Sequence, residues 1–239
     1  MKVTILGMTS NPKEMMIMAK STRLQLHAGQ FENIMNMSEA EKDENIQYVL
    51  NTVKTSWEFV DFTILIEDVT RAFTHQLVRN RLGSYAQQAM RIVDVGTFGY
   101  ETSADIQANP EAAKIYHDCM ANIAESYRKL KAMGIKSEDA RGLLPTNIHT
   151  NIIAKYNLRA LSQMFASRTS MRVQDEYRNF IDLTYKAITE QHPWLAQFLL
   201  EDKITTLNDI ASEVTKLDFL DNDQKIIINK IIDKVRNNG

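Results

Sequence analysis

A shortage of turn-forming residues is the feature that most constrains the fold of this sequence. Its 239 residues include only 8 glycines and 4 prolines, so long uninterrupted segments must fill most of the chain. Two of these segments open with helix-start signals: Asn11 as an N-cap ahead of Pro12 and Glu14, and a capping-box pair at Ser38 and Glu41. We therefore expect helices to dominate.

Periodicity predicts a modest sheet among those helices. Strand-forming patterns, either alternating or rich in β-branched and aromatic residues, occur over 2–6, 59–66 and 148–155. Helical patterns run over about 11–26, 38–53, 69–78, 110–133, 136–144, 157–167, 173–191 and 225–235. This order indicates an α+β fold in which a modest mixed or antiparallel sheet is covered by long helices.

The pattern changes near residue 200. Residues 1–200 are predicted to form one domain, and 201–239 a helical C-terminal extension. The last helix of that extension is expected to start at a cap formed by Asp221 and Gln224. Four isoleucines are predicted to share its apolar face, which would pack on the core or on another subunit: Ile226, Ile227, Ile231 and Ile232.

The overall composition argues against several classes of protein. With a net charge of −2, the chain lacks the basic excess that dedicated nucleic-acid or membrane-surface proteins need. No apolar run reaches the ~18 residues of a membrane span, so we expect neither a nucleic-acid nor a membrane partner. The single cysteine, Cys119, predicts no internal disulfide and is interpreted as a buried structural thiol. A cytoplasmic location fits this cysteine content, and the scattered histidines predict no metal site.

The segment over 71–91 carries the densest group of candidate binding residues. It combines arginines with glutamines around a Gly-Ser-Tyr turn. Guanidinium and amide groups in such number are typical of a pocket for an anionic planar ligand. The alternative, that Arg79, Arg81 and Arg91 form a solvated basic rim or an interface of ion pairs, stays open on these residues alone.

This segment resembles the signature of the flavin-dependent thymidylate synthases, Arg-His-Arg-x7-Ser. Here the signature reads Arg79-Asn80-Arg81-x7-Ala89, with asparagine in place of the histidine and alanine in place of the serine. Five stretches resemble family elements in the family's order: 58–63, 73–79, 138–145, 157–161 and 174–178. The resemblance covers roughly residues 1–200 and implies the fold of that family.

The resemblance implies a site for deoxyuridine monophosphate (dUMP). The positions that match the family's nucleotide contacts are Gln76, Arg79, Gln87, Arg91, Arg141 and Arg168. Arg91 and Arg141 would hold the dianionic phosphate through charge-assisted pairs. Arg168 is implied as the catalytic residue, lying against the uracil ring and stabilising the charge that develops as C5 attacks the one-carbon unit. If the helix after Asn157 continues to Arg168, one helix face presents both side chains.

The same resemblance implies a flavin site in which several positions are altered. Its implied cofactor contacts are Thr55, Arg79, Asn80, Arg81, Gln87, Asn157, Gln163 and Arg172. Val53, Phe59 and Asn80 stand where the family carries histidines, so no imidazole remains at these positions to move protons near neutral pH. Ala89 likewise lacks the hydroxyl that ends the signature.

The expected reaction is a one-carbon transfer from methylenetetrahydrofolate to C5 of dUMP, giving dTMP, with FAD as redox carrier and NADPH as a candidate reductant. The family builds its sites between the subunits of a homotetramer, so the resemblance implies that assembly here. Two alternatives stay open. In one, the same scaffold hydroxymethylates dUMP or dCMP; in the other, the chain is a non-catalytic nucleotide-binding protein that lost the flavin half of its site.

Overall fold

A computed structural model of the protein describes residues 1–23, 27–90, 99–168, 175–199, 214 and 222–237. The strands are β1 (Lys2–Met8), β2 (Asp61–Thr70), β3 (Ser84–Gln87) and β4 (His149–Asn157). The helices are α1 (Pro12–Ser21), α2 (Gln30–Met35), α3 (Glu39–Thr52), α4 (Arg71–Leu77), α5 (Ala104–Gln107), α6 (Pro110–Ala132), α7 (Ser137–Ala140), α8 (Leu158–Arg168), α9 (Asp175–Gln191), α10 (Ala196–Leu199) and α11 (Asn222–Asn237). Short 3-10 segments cover Lys54–Phe59, Arg141–Leu143 and Pro193–Leu195.

The four strands form one antiparallel sheet in the order β1-β2-β4-β3. This confirms the predicted α+β fold, with the antiparallel form of the two that the sequence allowed. β3 was not predicted, because a strand of four residues leaves too short a pattern to recognise. Its register on β4, with Ser84 opposite Lys155 and Gln87 opposite Ile152, brings the arginine-rich segment onto the sheet.

The core lies between one face of this sheet and the helices. Along β2 the alternate side chains of Phe62, Ile64 and Ile66 are buried, as the period of two in a strand requires. Phe73 of α4 packs against Tyr177 and Phe180 of α9, with ring centroids 5.4 Å apart in both pairs. Each such fully buried apolar side chain contributes roughly 1.5–3 kcal/mol.

Local signals placed the helix starts better than the helix ends. The capping box is confirmed, because Ser38 Oγ accepts from Glu41 N and the Glu41 carboxylate accepts from Ser38 N at 2.8 Å. Asn11, in contrast, adopts a left-handed conformation (φ 51°) and makes no side-chain cap to α1. The expected end of that helix near residue 26 was also wrong. The helix ends at Ser21, where the hydroxyls of Ser21 and Thr22 donate back to main-chain carbonyls.

The strand predicted from residue 59 starts later than expected. Lys54–Phe59 forms a 3-10 turn instead, and β2 begins at Asp61 and continues to Thr70. Trp57 anchors the turn, since its ring is buried and its indole N–H donates to Val49 O at 3.4 Å. Phe59 is consequently left at the surface, with 54% of its area exposed.

The C-terminal helix α11 is present, but its isoleucines are divided between environments. Ile232 is buried, whereas Ile226, Ile227 and Ile231 are each more than half exposed. The expected cap residue Asp221 lies outside the described residues. Among the helices that the structure describes, none is long and apolar enough to cross a membrane.

Candidate functional site

The arginine-rich segment folds as a helix that returns along the sheet as a strand. Thr70 caps α4, its hydroxyl oxygen accepting from Phe73 N at 2.9 Å. The main chain then crosses the segment before β4, with Arg71 N donating to Ile148 O at 3.1 Å and Ala72 N donating to Thr146 O at 2.8 Å. This crossing places the first turn of α4 beside the His149 end of β4.

Two arginines meet at that end of β4 and form what we call the cationic corner, Arg71 and Arg141. Arg71 is half-buried and its Nη2 donates to Gln88 O at 2.8 Å, while Arg141 Nε donates to Glu138 O at 3.1 Å. Within the described part of the chain, neither guanidinium has a carboxylate within 4.0 Å, and the buried Arg71 Nε has no hydrogen-bond partner. Burial, together with the positive charge of Arg141, lowers the pKa of Arg71. A corner of this kind lacks an anion.

Gln87 joins the corner to α4. Its Nε2 donates to Thr74 Oγ1 at 2.9 Å, and the next residue, Gln88, supplies the carbonyl that receives Arg71. Gln88 N also donates to Asn151 O at 3.0 Å. The Gln87 side chain is thus oriented toward α4, one residue before the carbonyl that receives Arg71.

The loop between α4 and β3 presents the signature residues in a different setting. Arg79 and Arg81 are exposed, and neither has a carboxylate within 4.0 Å among the described residues. The Asn80 side chain is used locally, because its Oδ1 accepts from Leu82 N at 3.3 Å. Asn80 thus stabilises the turn through an oxygen acceptor and carries no titratable group into the site.

A buried tyrosine pair fixes this loop. Tyr156 OH donates to Tyr85 OH at 3.1 Å, and Tyr85 OH donates to the carbonyls of Asn80 at 2.5 Å and Leu77 at 3.0 Å. Burial raises the pKa of Tyr85, and burial with the adjacent Tyr85 hydroxyl raises that of Tyr156. A Cβ at Gly83 would come within 2.4 Å of the Tyr156 ring. The loop therefore needs glycine there.

The remaining flavin-side residues lie near the Asn157 end of β4. Asn157 is opposite Asp61, the first residue of β2, and its Oδ1 accepts from Ala160 N at 2.8 Å. This contact is a cap of α8, which leaves the side-chain NH₂ of Asn157 as a free donor. Thr55 and Gln163 are exposed, on the 3-10 turn Lys54–Phe59 and on α8.

The sheet register separates these two groups of residues. The cationic corner lies at His149 and the flavin-side residues at Asn157, and the eight steps between them along β4 span about 27 Å. Gln87 is opposite Ile152, between the two ends. One protomer brings Arg71 to Arg141, but it does not bring Arg141 to Asn157.

Several predicted site residues stand apart from this picture. Arg91 and Arg172 lie outside the described residues. The helix predicted over 157–167 does continue to Arg168, which is the condition for Asn157 and Arg168 to share a helix face, although only the backbone of Arg168 is described. Of the positions that carry histidine in the resembling family, Val53 is buried in the core.

Cys119 was expected to be buried, and this was wrong: the thiol is exposed on α6. The apolar residues of α6 recur with the period of a buried helix face, which led to the prediction, but Cys119 lies on the solvent-exposed side of that helix.

Sequence reasoning missed Arg71 as a site residue. No motif assigns it, and its partner Arg141 is distant along the chain. The available signal was its position directly after the N-cap Thr70, where a cation opposes the helix dipole. A basic residue tolerated in a first turn and half-buried is a candidate for ligand binding.

Comparison with known proteins places this geometry in a family. Residues 4–194 match the family model described as thymidylate synthase complementing protein. A flavin-dependent thymidylate synthase of Nitratidesulfovibrio vulgaris is 37% identical over 146 residues, which are 58% of this chain and 60% of that relative. The chain thus spans about three-fifths of the length of this relative. A flavin-dependent thymidylate synthase of Clostridium tetani is 29% identical over 215 residues, covering 82% of this chain and 86% of the relative.

The fold agrees with a solved structure from the same group. The crystal structure of flavin-dependent thymidylate synthase from Helicobacter pylori, complexed with FAD and dUMP, superposes with a TM-score of 0.64 at 17% identity. The superposition covers 84% of this chain and 99% of that chain. The family model matches residues 4–194, and the antiparallel sheet agrees with it. The chain therefore belongs to the thymidylate synthase complementing proteins, the flavin-dependent thymidylate synthase family.

Proposed function

We propose that this protein is a flavin-dependent thymidylate synthase, which transfers a one-carbon unit from methylenetetrahydrofolate to C5 of dUMP and so forms dTMP. The observation that carries the proposal is the cationic corner, in which Arg71 and Arg141 meet without a carboxylate among the described residues. The names of its relatives support the same activity. We assign catalysis to residues 1–200, since the family match ends at 194, and treat 201–239 as an extension. We place the enzyme in the cytoplasm, where its substrates are made.

The phosphate of dUMP fits the cationic corner. A dianion between Arg71 and Arg141 would take the free Arg71 Nε as a donor and relieve the repulsion between the two guanidinium groups. Arg91 follows Gln88 closely in the chain and is our third phosphate ligand. Gln87 and Gln76 would supply amide groups to the sugar or base, which orient the nucleotide.

We assign the catalytic role to Arg168, at the end of α8. C5 of the uracil attacks the one-carbon unit when the ring carries enolate-like negative charge, and a fixed guanidinium would stabilise that nucleophilic form. Arg79 is proposed to contact the nucleotide from a neighbouring protomer. The reaction needs no cysteine nucleophile in this scheme, and Cys119, the single cysteine of the sequence, is exposed on α6.

FAD is the redox cofactor in this proposal, and it supplies the hydride that completes the methyl group. The exposed guanidinium groups of Arg79 and Arg81 fit its phosphates, because neither is neutralised by a described carboxylate. Other polar groups proposed to hold FAD are those of Thr55, Asn80, Gln87, Asn157, Gln163 and Arg172. NADPH is our proposed reductant.

A complete site in this proposal requires more than one protomer. The two groups of site residues are about 27 Å apart along β4, so a ligand that touches both would have to do so across a subunit interface. The exposed face of α6 supports such an assembly. It bears a groove of about 480 Å³ lined in part by Ile115, Ile123 and Leu143. We propose a homotetramer with sites between subunits.

The proposal is tested by the mass of the product. Purified protein is incubated with FAD, NADPH and methylenetetrahydrofolate, and with either dUMP or dCMP. The nucleotides are then separated and their molecular masses are measured by mass spectrometry. We expect dUMP to gain one methyl group and dCMP to remain unchanged. Unchanged dUMP, from protein that binds flavin and remains folded, would refute the proposal.

A second candidate is hydroxymethylation of dUMP or dCMP. It is favoured by the flavin side, where Val53 is buried, Phe59 is apolar and Asn80 uses its side-chain oxygen to bond Leu82 N. With no imidazole at these positions to manage protons, water could end the reaction before reduction and leave a hydroxymethyl group. The same mass measurement distinguishes this product. Protein that stays colourless with added FAD yet binds dUMP would instead favour a non-catalytic nucleotide-binding protein.

A further inference from the structure

One carboxylate connects the start of α9 to the start of α4, the helix that bears Arg71 and Gln76. Glu176 lies in the first turn of α9, and its two oxygens accept from Thr70: Oε1 from the main-chain N at 2.7 Å and Oε2 from the hydroxyl at 2.6 Å. Thr70 is almost fully buried, at 3% exposure. Water therefore has little access to replace these bonds.

Thr70 links Glu176 to the proposed nucleotide site. It caps α4 through Phe73 N, and the next residue is Arg71, which forms half of the cationic corner. Gln76 is on the same helix. On the other side of the contact, α9 starts shortly after Arg168 in the chain. Glu176 thus fixes the start of α4 relative to the start of α9.

We propose that Glu176 is a positioning residue for nucleotide binding, which holds the first turn of α4 against α9 so that Arg71 faces Arg141. This rests on the proposed function, because it assumes that the corner receives the nucleotide phosphate. Glu176 touches neither substrate nor cofactor in this assignment. It acts through Thr70 on Arg71, the next residue in the chain.

The chemistry of the contact explains why a carboxylate is suited to it. Two donors converge from one residue, and a carboxylate offers two acceptor oxygens in one plane. Charge-assisted hydrogen bonds are roughly twice as strong as neutral ones. A glutamine can keep part of this arrangement, since its oxygen accepts from Thr70 N and its NH₂ donates to Thr70 Oγ. Alanine keeps none of it and leaves the buried Thr70 N–H unpaired.

The test compares dUMP affinity, KM and kcat of the full-length protein with those of four variants. For Glu176→Ala we expect the Kd for dUMP to rise about tenfold, equivalent to about 1.4 kcal/mol, and kcat to fall as well. Glu176→Gln should recover most of the affinity. Thr70→Val should resemble Glu176→Ala, whereas Thr70→Ser keeps the hydroxyl and should resemble the wild type. Glu190→Ala is the matched control, an exposed glutamate on the same helix.

A double variant separates positioning from general stabilisation. If Glu176 acts through Thr70, then the losses of dUMP affinity caused by Glu176→Ala and by Thr70→Val should be less than additive in the double variant, because both remove the bond between the Thr70 hydroxyl and the carboxylate. Wild-type affinity and kcat in Glu176→Ala, measured below its melting temperature, would overturn the proposal. If Glu176→Ala does not fold, wild-type affinity in both Thr70→Val and Glu176→Gln would overturn it equally. Absence of dUMP binding by the wild type would instead refute the proposed function.

Discussion

The two ends of β4 hold their arginines in contrasting ways. At the His149 end, Arg71 and Arg141 are half-buried and held by main-chain carbonyls, and the pKa of Arg71 is lowered by burial and by Arg141. At the Asn157 end, Arg79 and Arg81 are exposed on a loop that is fixed by the Tyr85 and Tyr156 hydroxyls rather than by the arginines themselves. The two positive charges at the first end are partly withdrawn from water and repel each other, whereas those at the second end are exposed to solvent.

This contrast separates the positions that depart from the family pattern. The departures near the flavin side have become part of the packing or hydrogen bonding of the protomer: Val53 is buried and the Asn80 oxygen bonds Leu82 N. No such departure affects the cationic corner. In the proposed function, the end assigned to the nucleotide therefore keeps its guanidinium groups, whereas the end assigned to the flavin has no histidine at Val53, Phe59 and Asn80.

The largest effect is expected at Arg168, where the proposal places the chemical step. Arg168→Ala should lower kcat by about 10²–10³ and change the Kd for dUMP by much less, because the phosphate is held elsewhere. Single-turnover assays with calorimetric binding would measure both quantities. Equal losses in binding and turnover would show that Arg168 belongs to the nucleotide-binding end rather than to catalysis.

Substitution at the cationic corner should affect binding more than stability. Arg71→Met removes a charge whose burial is unfavourable without an anion, so the melting temperature without ligand should not fall, while dUMP affinity should drop about ten- to hundredfold. Affinity of the wild type should also rise as pH increases through about 6, where a phosphate monoester becomes a dianion. Arg128→Ala on α6 is the control, since Arg128 is exposed and donates only to Ala124 O. An equal loss of dUMP affinity in Arg71→Met and Arg128→Ala would show that the effect is not specific to the cationic corner.

The shape of the Asn157 end is tested by Gly83. Gly83→Ala places a methyl group against the rigid Tyr156 ring and should destabilise the protein by about 1–3 kcal/mol. Gly142→Ala is the matched control, because nothing lies within 4 Å of its added Cβ. Thermal unfolding measures both. If the two variants melt at the same temperature, the tyrosine pair does not fix the loop as described.

The smallest expected effect is that of Asn80→His, which restores the family histidine. A few-fold change in the rate is expected, with a new limb in the pH–rate profile near the ordinary histidine pKa of about 6.5. Because the imidazole acts as a base only above its pKa, activity should fall below that pH in the variant and not in the wild type. Identical profiles would show that this position takes no part in proton transfer.

Local patterns predicted much of the fold but little of the site geometry. The Ser38 capping box and the alternation of β2 depend on neighbouring residues, so the sequence alone determines them. β3 and the cationic corner depend on contacts between distant segments. Arg71 meets Arg141 only because the main chain of α4 crosses the segment before β4 through Ala72 N and Thr146 O. No period or motif within either segment encodes that crossing.

Site residues taken from the family resemblance had the same limitation. The motif left open whether the helix after Asn157 reaches Arg168, and α8 does reach it. It gave no indication that Asn157 already caps that helix through Ala160 N, because the pattern records residue types and not their hydrogen-bond partners. Arg71 and Glu176 became visible only through their contacts in three dimensions.

The central claim is that the phosphate of a pyrimidine nucleotide binds between Arg71 and Arg141, and it is tested most directly by comparing dUMP with deoxyuridine. Calorimetry of the wild type and of the double variant Arg71→Met with Arg141→Met gives four dissociation constants. We predict that the wild type prefers dUMP by at least about tenfold, about 1.4 kcal/mol, and that the double variant loses this preference while still binding deoxyuridine. An undiminished preference for dUMP in the double variant would contradict the account.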